Sequence, residues 1–112
     1  MFYEPKKGDH GLPKNPFNSL VMPRPIGWIS SLDADGVINV APYSFFNAVC
    51  YRPPTVMFAG GAGPSPDEGG DWSKDSRRNI EATGDFVCNL TTWDTREQMN
   101  QTSASVPPDV DE

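Results

Sequence analysis

The sequence predicts a mainly β fold with short helices, contained in a single domain. Three stretches rich in β-branched and aromatic residues, at 28–40, 55–59 and 85–90, are bounded by glycine, proline or aspartate, a pattern typical of short strands. Only the stretches 73–83 and 94–103 have the capping residues of helices. A chain of 112 residues is long enough for one domain with a small core.

The first 22 residues are expected to form an irregular arm, and residues 23–112 the folded domain. The arm has prolines at positions 5, 13 and 16 and no sustained hydrophobic period. Because proline has a fixed φ and no N–H, it interrupts both helices and strands. We therefore expect no regular structure here apart from a short turn at 18–20, and we expect the arm to cover a sheet edge.

The stretch 23–48, PRPIGWISSLDADGVINVAPYSFFNA, organises the domain and predicts a β-hairpin. Its two strands are separated by Asp-Ala-Asp-Gly at 33–36, where Gly36 supplies the positive φ that such a turn requires. Pro25 and Pro42 lie at a strand start and near a strand end, where a missing N–H is tolerated. With 55–59 and 85–90, this hairpin gives four predicted strands.

An aromatic corner follows the hairpin at 43–47, where the sequence is YSFFN. Three rings beside a hydroxyl and an amide at the end of a strand suit a flat heteroaromatic ligand with polar edges. Core packing explains the rings equally well, and composition alone favours packing because aromatic clusters are usually core. Both interpretations stay open at this point.

The third predicted strand, 55–59, is almost wholly apolar and is expected to be buried. Pro53 and Pro54 prevent it from starting earlier. The next stretch, 60–72, contains five glycines and two prolines, too many for regular structure. Such a loop is either a flap beside a functional site or an insertion without consequence.

The stretch 73–83 predicts a helix with Asp75 as its N-cap and Gly84 placed to end it. Ile80 and Ala82 are expected to face inward. Residues 85–90 then predict the fourth strand.

Three cations, Lys74, Arg77 and Arg78, crowd the start of this helix. The helix dipole favours negative charge there, so these cations are unfavourable unless Asp75 or a bound anion offsets them. The free N–H groups of the first turn, the hydroxyl of Ser76 and a nearby lysine form the kind of site that binds phosphate. A solvated basic face explains the same residues without a ligand.

A second helix is predicted from about 94 to 103. Asp94 and Glu97 have the spacing of a capping box, and Trp93 is placed to staple the helix to the core. The Val-Pro-Pro segment at 106–108 ends the regular pattern, and the last residues are acidic.

The charge balance excludes some classes of partner. Nine basic against fifteen acidic side chains give a formal net charge of −6, which argues against nucleic acid or an anionic membrane as the main partner. No apolar run approaches the roughly 20 residues of a membrane span, and the N-terminus lacks the apolar centre of a signal peptide. A cytoplasmic location is expected.

Cysteine and histidine are too sparse for several kinds of catalytic site. Cys50 and Cys88 form no C-x-x-C motif, so we expect two reduced, packed thiols rather than a redox or zinc site. His10 is the only histidine, which leaves metal binding, Ser-His-Asp and Cys-His catalysis without support. Any enzymatic chemistry must therefore come largely from a cofactor.

Four sequence blocks occur in an order that is far more specific than any one of them: PRPIGWISSLDADG, NVAPYSFFNA, PPTVMFA and KDSRRNIEATGDFVCNL. Together they resemble the flavin reductase-like family, whose fold is the FMN-binding split β-barrel, over about 9–112. Family members are longer, and four strands are too few to close a barrel. The resemblance therefore implies an incomplete barrel that matches the N-terminal part of such a protein. The sequence does not distinguish a fragment from a natural short form.

The resemblance also implies a site in which FMN lies against the barrel at a homodimer interface. The implied isoalloxazine and ribityl contacts are Trp28, Ser30 and Ser31 on the first strand and Ser44, Phe45, Phe46 and Asn47 at the corner. The implied phosphate-binding residues are Lys74, Asp75 and Ser76, which the electrostatics of the helix start also indicate. A homodimer or a larger assembly is expected on separate grounds too, because open sheet edges are usually covered or paired.

The function implied by the resemblance is flavin reduction by NADH or NADPH, with hydride transfer to the flavin N5. No catalytic side chain is required, since the protein stacks and orients the two rings. Reduced flavin would then serve a monooxygenase or another electron acceptor. Two alternatives remain: a flavin-binding or electron-carrier module without NAD(P)H activity of its own, and an inactive truncated remnant.

Overall fold

The structure of the chain, a computed structural model, describes residues 4, 7–60 and 74–104. Within these residues the order of elements is α1 (Pro16–Leu20), β1 (Gly27–Leu32), β2 (Ile38–Tyr43), β3 (Phe46–Tyr51), β4 (Pro54–Phe58), α2 (Asp75–Thr83), β5 (Val87–Leu90) and α3 (Arg96–Gln101). The predicted mainly β fold with short helices is confirmed. Apart from Gly60, the glycine-rich loop predicted at 60–72 lies outside the described residues, as does the segment 106–112.

The strands form one three-stranded antiparallel sheet and one two-stranded ribbon. The sheet has the order β2-β1-β5, and the ribbon pairs β3 with β4. Strand β1 is central, so that Ile29 lies opposite Ala41 of β2 on one side and Cys88 of β5 on the other. Neither group of described strands closes on itself, in agreement with the predicted incomplete barrel.

The turn of the hairpin is built as the sequence predicts. Gly36 has a φ of 86°, and its N–H donates to the Asp33 carbonyl at 3.2 Å. The Asp33 carboxylate accepts from the backbone N–H groups of Asp35 at 2.9 Å and Val37 at 2.8 Å. Aspartate at the first position thus supplies a side-chain acceptor for the turn, and glycine supplies its left-handed backbone.

The small core lies where the sheet meets the ribbon. Among the described residues, its buried apolar side chains are Ile29, Tyr43 and Phe46. Tyr43 packs on Phe58 with ring centroids 4.8 Å apart. A Cβ atom at Gly27 would lie 2.5 Å from Cδ2 of Phe46, so only glycine leaves room for this ring. Two of the three rings in the aromatic corner, those of Tyr43 and Phe46, are therefore packed in the core.

The ribbon differs from the prediction in two respects. Residues 46–51 form a strand that the sequence analysis missed, so the described residues contain five strands rather than four, and β4 starts at Pro54 rather than at 55. The segment expected to be a buried strand is mostly exposed, including Val56 and Met57. The reason is that β4 pairs only with β3, and no other described strand lies beside it.

The predicted turn at 18–20 is instead the end of a short helix. Asn15 accepts a hydrogen bond from the Phe17 N–H at 3.0 Å, and Pro16 occupies the first helical position, where its missing N–H is not needed. Arg24 donates to the Asn18 carbonyl at 2.7 Å, and the ring of Phe17 lies 6.2 Å from that of Phe45. The arm is therefore tied to the aromatic corner.

Helix α2 begins and faces differently from the prediction. Lys74 occupies the N-cap position without a side-chain hydrogen bond, and Asp75 is the first helical residue. The buried residues are Ser76 and Asn79, whereas Ala82, expected to face inward, is exposed. The predicted end is confirmed, since Gly84 has a φ of 83° and donates to the Ile80 carbonyl at 2.8 Å.

The capping box and hydrophobic staple predicted for the second helix are wrong. Helix α3 has Thr95 at the N-cap position, and the Thr95 hydroxyl accepts from the Thr92 N–H at 3.1 Å. Trp93 is 77% exposed. The guanidinium carbon of Arg96 stacks over the Trp93 ring, 4.1 Å from the ring centroid. A local stack with arginine thus replaces the expected contact with the core.

Both cysteines are unpaired, as expected, but only Cys88 is partly buried. Cys50 is exposed because it lies on the open ribbon, so the expectation of packing is wrong for this residue. Within 4, 7–60 and 74–104, no helix has the length and apolar character needed to cross a membrane. The same part of the chain holds no cluster of three or more side chains suited to a metal ion.

Candidate functional site

The alternation of β1 separates the residues that were predicted to form one contact surface. Gly27, Ile29 and Ser31 are buried, whereas Trp28 and Ser30 are half-buried on the other face. The buried Ser31 hydroxyl accepts from Asn79 Nδ2 at 3.3 Å. Among these candidates, Trp28 and Ser30 are therefore more accessible than the enclosed Ser31.

Trp28 and Ser30 are fixed by side chains from distant parts of the chain. The Trp28 indole N–H donates to Thr102 Oγ1 at 2.9 Å. Asn89 Nδ2 lies 3.2 Å from the Trp28 carbonyl and 3.4 Å from Ser30 Oγ. The indole is thus held by the residue that directly follows α3, and Asn89 of β5 holds the backbone of Trp28.

A recess of about 610 Å³ lies beside the Trp28 indole. It is open and lined by apolar, hydroxyl and amide groups, a mixture suited to a ring with polar edges. Its lining residues are Trp28, Val40, Asn89, Leu90, Thr92, Thr95 and Thr102. The sequence analysis missed the asparagine and the threonines. Alternation in the 85–90 strand could have indicated Asn89, but no local signal indicates Thr102.

A second recess, of about 430 Å³, lies at the other end of β1. Its charged lining residues, Asp33 and Asp85, are both acidic, and an acidic rim disfavours an anionic ligand. This recess is therefore a poor candidate for a phosphate group.

The aromatic corner divides into core and surface residues. Phe46 is buried, and Phe45 is half-buried beneath the Arg24 guanidinium, 5.1 Å from its ring centroid. Ser44 is half-buried, and Asn47 is exposed, with its side-chain oxygen 2.9 Å from the Ala48 N–H. The polar groups that the corner offers to a ligand are therefore those of Ser44 and Asn47.

Lys74, at the start of α2, lies next to the end of β4 and the first ring of the corner. A Cβ atom at Gly60 would lie 3.8 Å from Lys74 Cδ and 3.3 Å from Tyr43 Cε1. The lysine side chain is exposed, and its ammonium has no ion pair within 7–60 and 74–104. The structure thus brings the predicted phosphate-binding lysine close to the aromatic corner.

The other cations of the helix start are balanced by the helix itself. Arg77 pairs with Glu81 at 2.8 Å, and Arg78 pairs with Asp75. Asp75 therefore neutralises an arginine instead of capping the helix.

The first turn of α2 presents a backbone donor, while its serine hydroxyl faces the sheet. Ser76 is 2% exposed, and its hydroxyl accepts from Asn39 Nδ2 at 2.8 Å. The N–H groups of Arg77 and Arg78 both donate to the Lys74 carbonyl. The Asp75 N–H precedes the first hydrogen bond of the helix and takes no part in that pattern, whereas Ser76 is enclosed. With the Lys74 ammonium, the Asp75 N–H forms a donor pair whose chemistry fits a phosphate.

The amino-acid sequence matches a known domain over most of its length. The model of the flavin reductase like domain matches residues 18–112. The chain belongs to the flavin reductase-like family. An uncharacterized family relative from Aquifex aeolicus is 39% identical over 93 residues, which are 83% of this chain and 45% of that protein. The YwrF protein of Bacillus subtilis, also uncharacterized, is 36% identical over 92 residues, or 82% of this chain and 42% of its own.

Solved structures of similar fold agree with the family. Nitrilotriacetate monooxygenase component B from Bacillus cereus is 29% identical, with a TM-score of 0.75 over 96% of this chain and 50% of its own. A split-barrel domain protein from Shewanella frigidimarina has a TM-score of 0.70 over 100% of this chain and 52% of its own, and at 24% identity it is similar in fold alone. The chain thus has the split-barrel fold of the flavin reductase-like family, with its sheets not closed, and spans about half the length of these proteins.

Proposed function

We propose that this chain binds FMN and forms part of an oxidoreductase that reduces flavin with NADH or NADPH. Membership of the flavin reductase-like family supports a flavin-related role. The observation that favours a flavin phosphate is the exposed Lys74 ammonium, which lies at the positive end of α2 and has no ion pair among the described residues.

In this proposal, the Lys74 ammonium and the Asp75 N–H hold the phosphate. Ser44 and Asn47 at the corner contact the flavin ring or its ribityl chain. Trp28 and Ser30 lie on the face of β1 opposite α2, so they reach the same flavin only if it extends around the end of the strand. Phe45 and Phe46 support that corner from below, and Asp75 acts by neutralising Arg78. Each role follows from whether the side chain is open to a ligand or already enclosed by the protein.

When bound, FMN would supply the hydride acceptor, at N5 of its ring, for NADH or NADPH. The side chains of this chain would bind, orient and partly enclose the reactants, which is the usual protein contribution in cofactor chemistry. No acid or base among the described residues is assigned to the transfer.

We further propose that the protein is a cytoplasmic homodimer. Large apolar side chains are exposed on the β3–β4 ribbon, among them Val49, Tyr51 and Met57, and such surfaces are commonly covered by another chain. Light scattering tests this proposal directly, and a monodisperse monomer at the concentrations used for flavin binding would contradict it.

A separate acceptor for the reduced flavin completes the proposal. One of the similar solved structures is a component of nitrilotriacetate monooxygenase. By analogy, a monooxygenase or another electron acceptor would take reduced flavin from this protein.

Two measurements test the proposal. Addition of the protein should quench FMN fluorescence, and a protein that purifies colourless and does not quench would remove flavin binding altogether. Under anaerobic conditions, NADH or NADPH should then bleach the absorption of the bound flavin. Quenching without bleaching would instead identify a flavin carrier without reductase activity.

A further inference from the structure

Helix α2 is attached to the sheet by polar side chains rather than by an apolar stripe. Its buried residues, Ser76 and Asn79, are three positions apart and therefore share one face of the helix. A surface helix normally turns aliphatic side chains toward the layer beneath it. Here Ile80 is only half-buried and Ala82 is exposed, so the two polar residues define the contact.

The partners of these two residues are themselves paired in the sheet. Asn39 Nδ2 donates to Ser76 Oγ at 2.8 Å, and Asn79 Nδ2 donates to Ser31 Oγ at 3.3 Å. Ser31 and Asn39 lie directly opposite each other in the register of β1 and β2. Sheet and helix therefore each contribute one amide and one hydroxyl to a reciprocal set. We name Ser31, Asn39, Ser76 and Asn79 the polar quartet.

Hydrogen bonds fix the position of the helix more sharply than apolar contact could. The hydrophobic effect is non-directional, whereas a hydrogen bond weakens steeply with distance and angle. Ser31, Ser76 and Asn79 are all buried, so water cannot readily replace a lost partner. A shift of α2 along the sheet would break both bonds together. The quartet thus holds one register of the helix, and with it the turn that includes Lys74.

We infer that the polar quartet positions the phosphate-binding turn, and that Ser31 and Ser76 act from inside the protein without touching the flavin. This inference rests on the proposed function. Asn39 is included because of its contact with Ser76. The four residues are positioning residues, and the groups that meet the phosphate are the Lys74 ammonium and the Asp75 N–H.

A double-mutant cycle distinguishes positioning from direct contact. The FMN and riboflavin affinities of wild type, Asn39→Ala, Ser76→Ala and the double variant would be measured by fluorescence quenching. Because one charge-assisted hydrogen bond corresponds to about tenfold in affinity, each single substitution should lower the FMN-to-riboflavin ratio about tenfold. The double variant should lower it no further, since both substitutions break the same bond.

Direct contact gives a different pattern. If Ser76 touched the phosphate itself, Ser76→Ala would lower the ratio while Asn39→Ala left it unchanged, and this result would overturn the inference. Asn100→Ala is the matched control, because it removes an exposed amide from α3, outside the quartet. Its ratio should equal that of wild type.

An exchange variant provides the rescue and covers the case in which an alanine variant does not fold. Asn39→Ser combined with Ser76→Asn keeps an amide and a hydroxyl at this contact but reverses them. Asn79 and Ser31 already show that a helix amide can reach a strand hydroxyl. The exchange should return the ratio to within about twofold of wild type, and a ratio as low as that expected for Asn39→Ala would count against the quartet.

Failure of the proposed function would be recognised separately, as a wild-type protein that quenches neither flavin. The role of the quartet is then judged by amide hydrogen exchange in α2. Asn39→Ala should accelerate exchange at 77–83 by about tenfold or more, because local opening becomes easier. Asn100→Ala should not. Unchanged exchange in Asn39→Ala would overturn the positioning role whether or not flavin binds.

Discussion

Helix α2 buries polar side chains, whereas the β3–β4 ribbon exposes apolar ones. The helix buries a serine and an asparagine against the sheet, whereas the ribbon leaves Val49, Tyr51 and Met57 exposed. The difference is whether a partner surface is present. The helix has the matching amide and hydroxyl of Asn39 and Ser31 beneath it, while β3 and β4 pair only with each other among the described strands. In this chain, burial follows from available partners more than from hydropathy.

The largest expected effect separates the core from the ribbon. Ile29→Ala removes a side chain that is 0% exposed and should lower the free energy of unfolding by about 2–5 kcal/mol. Val56→Ala on the ribbon should change it by less than about 0.5 kcal/mol, as is usual for surface substitutions. Urea denaturation of both variants is the measurement. Equal losses at low protein concentration would mean that the ribbon is as well packed as the core.

The same pair of variants sharpens the comparison when protein concentration is varied. If a second copy covers the ribbon, the effect of Val56→Ala should grow with concentration, because association stabilises the native state by mass action. The effect of Ile29→Ala should change less. If the loss of unfolding free energy in Val56→Ala did not depend on protein concentration, this would argue against the ribbon as a dimer surface.

The next effect concerns ligand binding at the start of α2. Lys74→Ala removes a charge-assisted contact of about 1.5–3 kcal/mol and should weaken FMN binding roughly 10- to 150-fold. Riboflavin, which lacks the phosphate, should bind almost as before. Arg52→Ala is the matched control, since it removes one cation from the ribbon and leaves the helix unchanged. An FMN-to-riboflavin ratio that is the same in wild type and Lys74→Ala would eliminate the phosphate site.

A smaller effect is expected from the polar face of α2 itself. Asn79→Ala leaves the buried Ser31 hydroxyl without its donor and should reduce the free energy of unfolding by about 1–3 kcal/mol. Asn100→Ala, which truncates an exposed amide on α3, should stay within about 0.5 kcal/mol of wild type. Thermal unfolding of the two variants checks this difference. Similar stabilities would mean that the polar contact adds little to the docking of α2.

The features of the fold that the sequence predicted depend on local rules. Gly36 and Gly84 both have the positive φ that their turn and helix end require, and such requirements can be read within a few residues. Strand β3 was missed because it is defined by pairing with β4 around a bulge between Ala48 and Cys50. That pairing, unlike a turn, has little local signature.

The candidate site shows the same division between local and distant signals. The electrostatics of a helix start were enough to select Lys74, and the resemblance added Trp28 and Ser30. The enclosure of Ser31 and Ser76 could not be foreseen, because polar residues are usually exposed and their partners come from other elements. Thr102, which holds the Trp28 indole, lies 74 residues away from it in the chain and gives no sequence signal.

The smallest expected effect tests whether Lys74 differs from its neighbouring cations in the absence of any ligand. Lys74→Ala should raise the free energy of unfolding of the flavin-free protein by about 0.3–1 kcal/mol, because it deletes a cation from the positive end of a helix.

Arg77→Ala should lack this gain. It removes a similar unfavourable charge but also breaks the exposed pair with Glu81, and such pairs contribute about 0.3–0.5 kcal/mol. Denaturation at low salt, repeated at high salt, is the appropriate measurement, because screening should remove most of the Lys74→Ala gain. If Lys74→Ala and Arg77→Ala were stabilised equally, the ion pair with Glu81 would not offset the unfavourable position of the Arg77 charge at the helix start. The distinction between one unpaired cation and two neutralised ones would then no longer support the assignment of Lys74 to the phosphate.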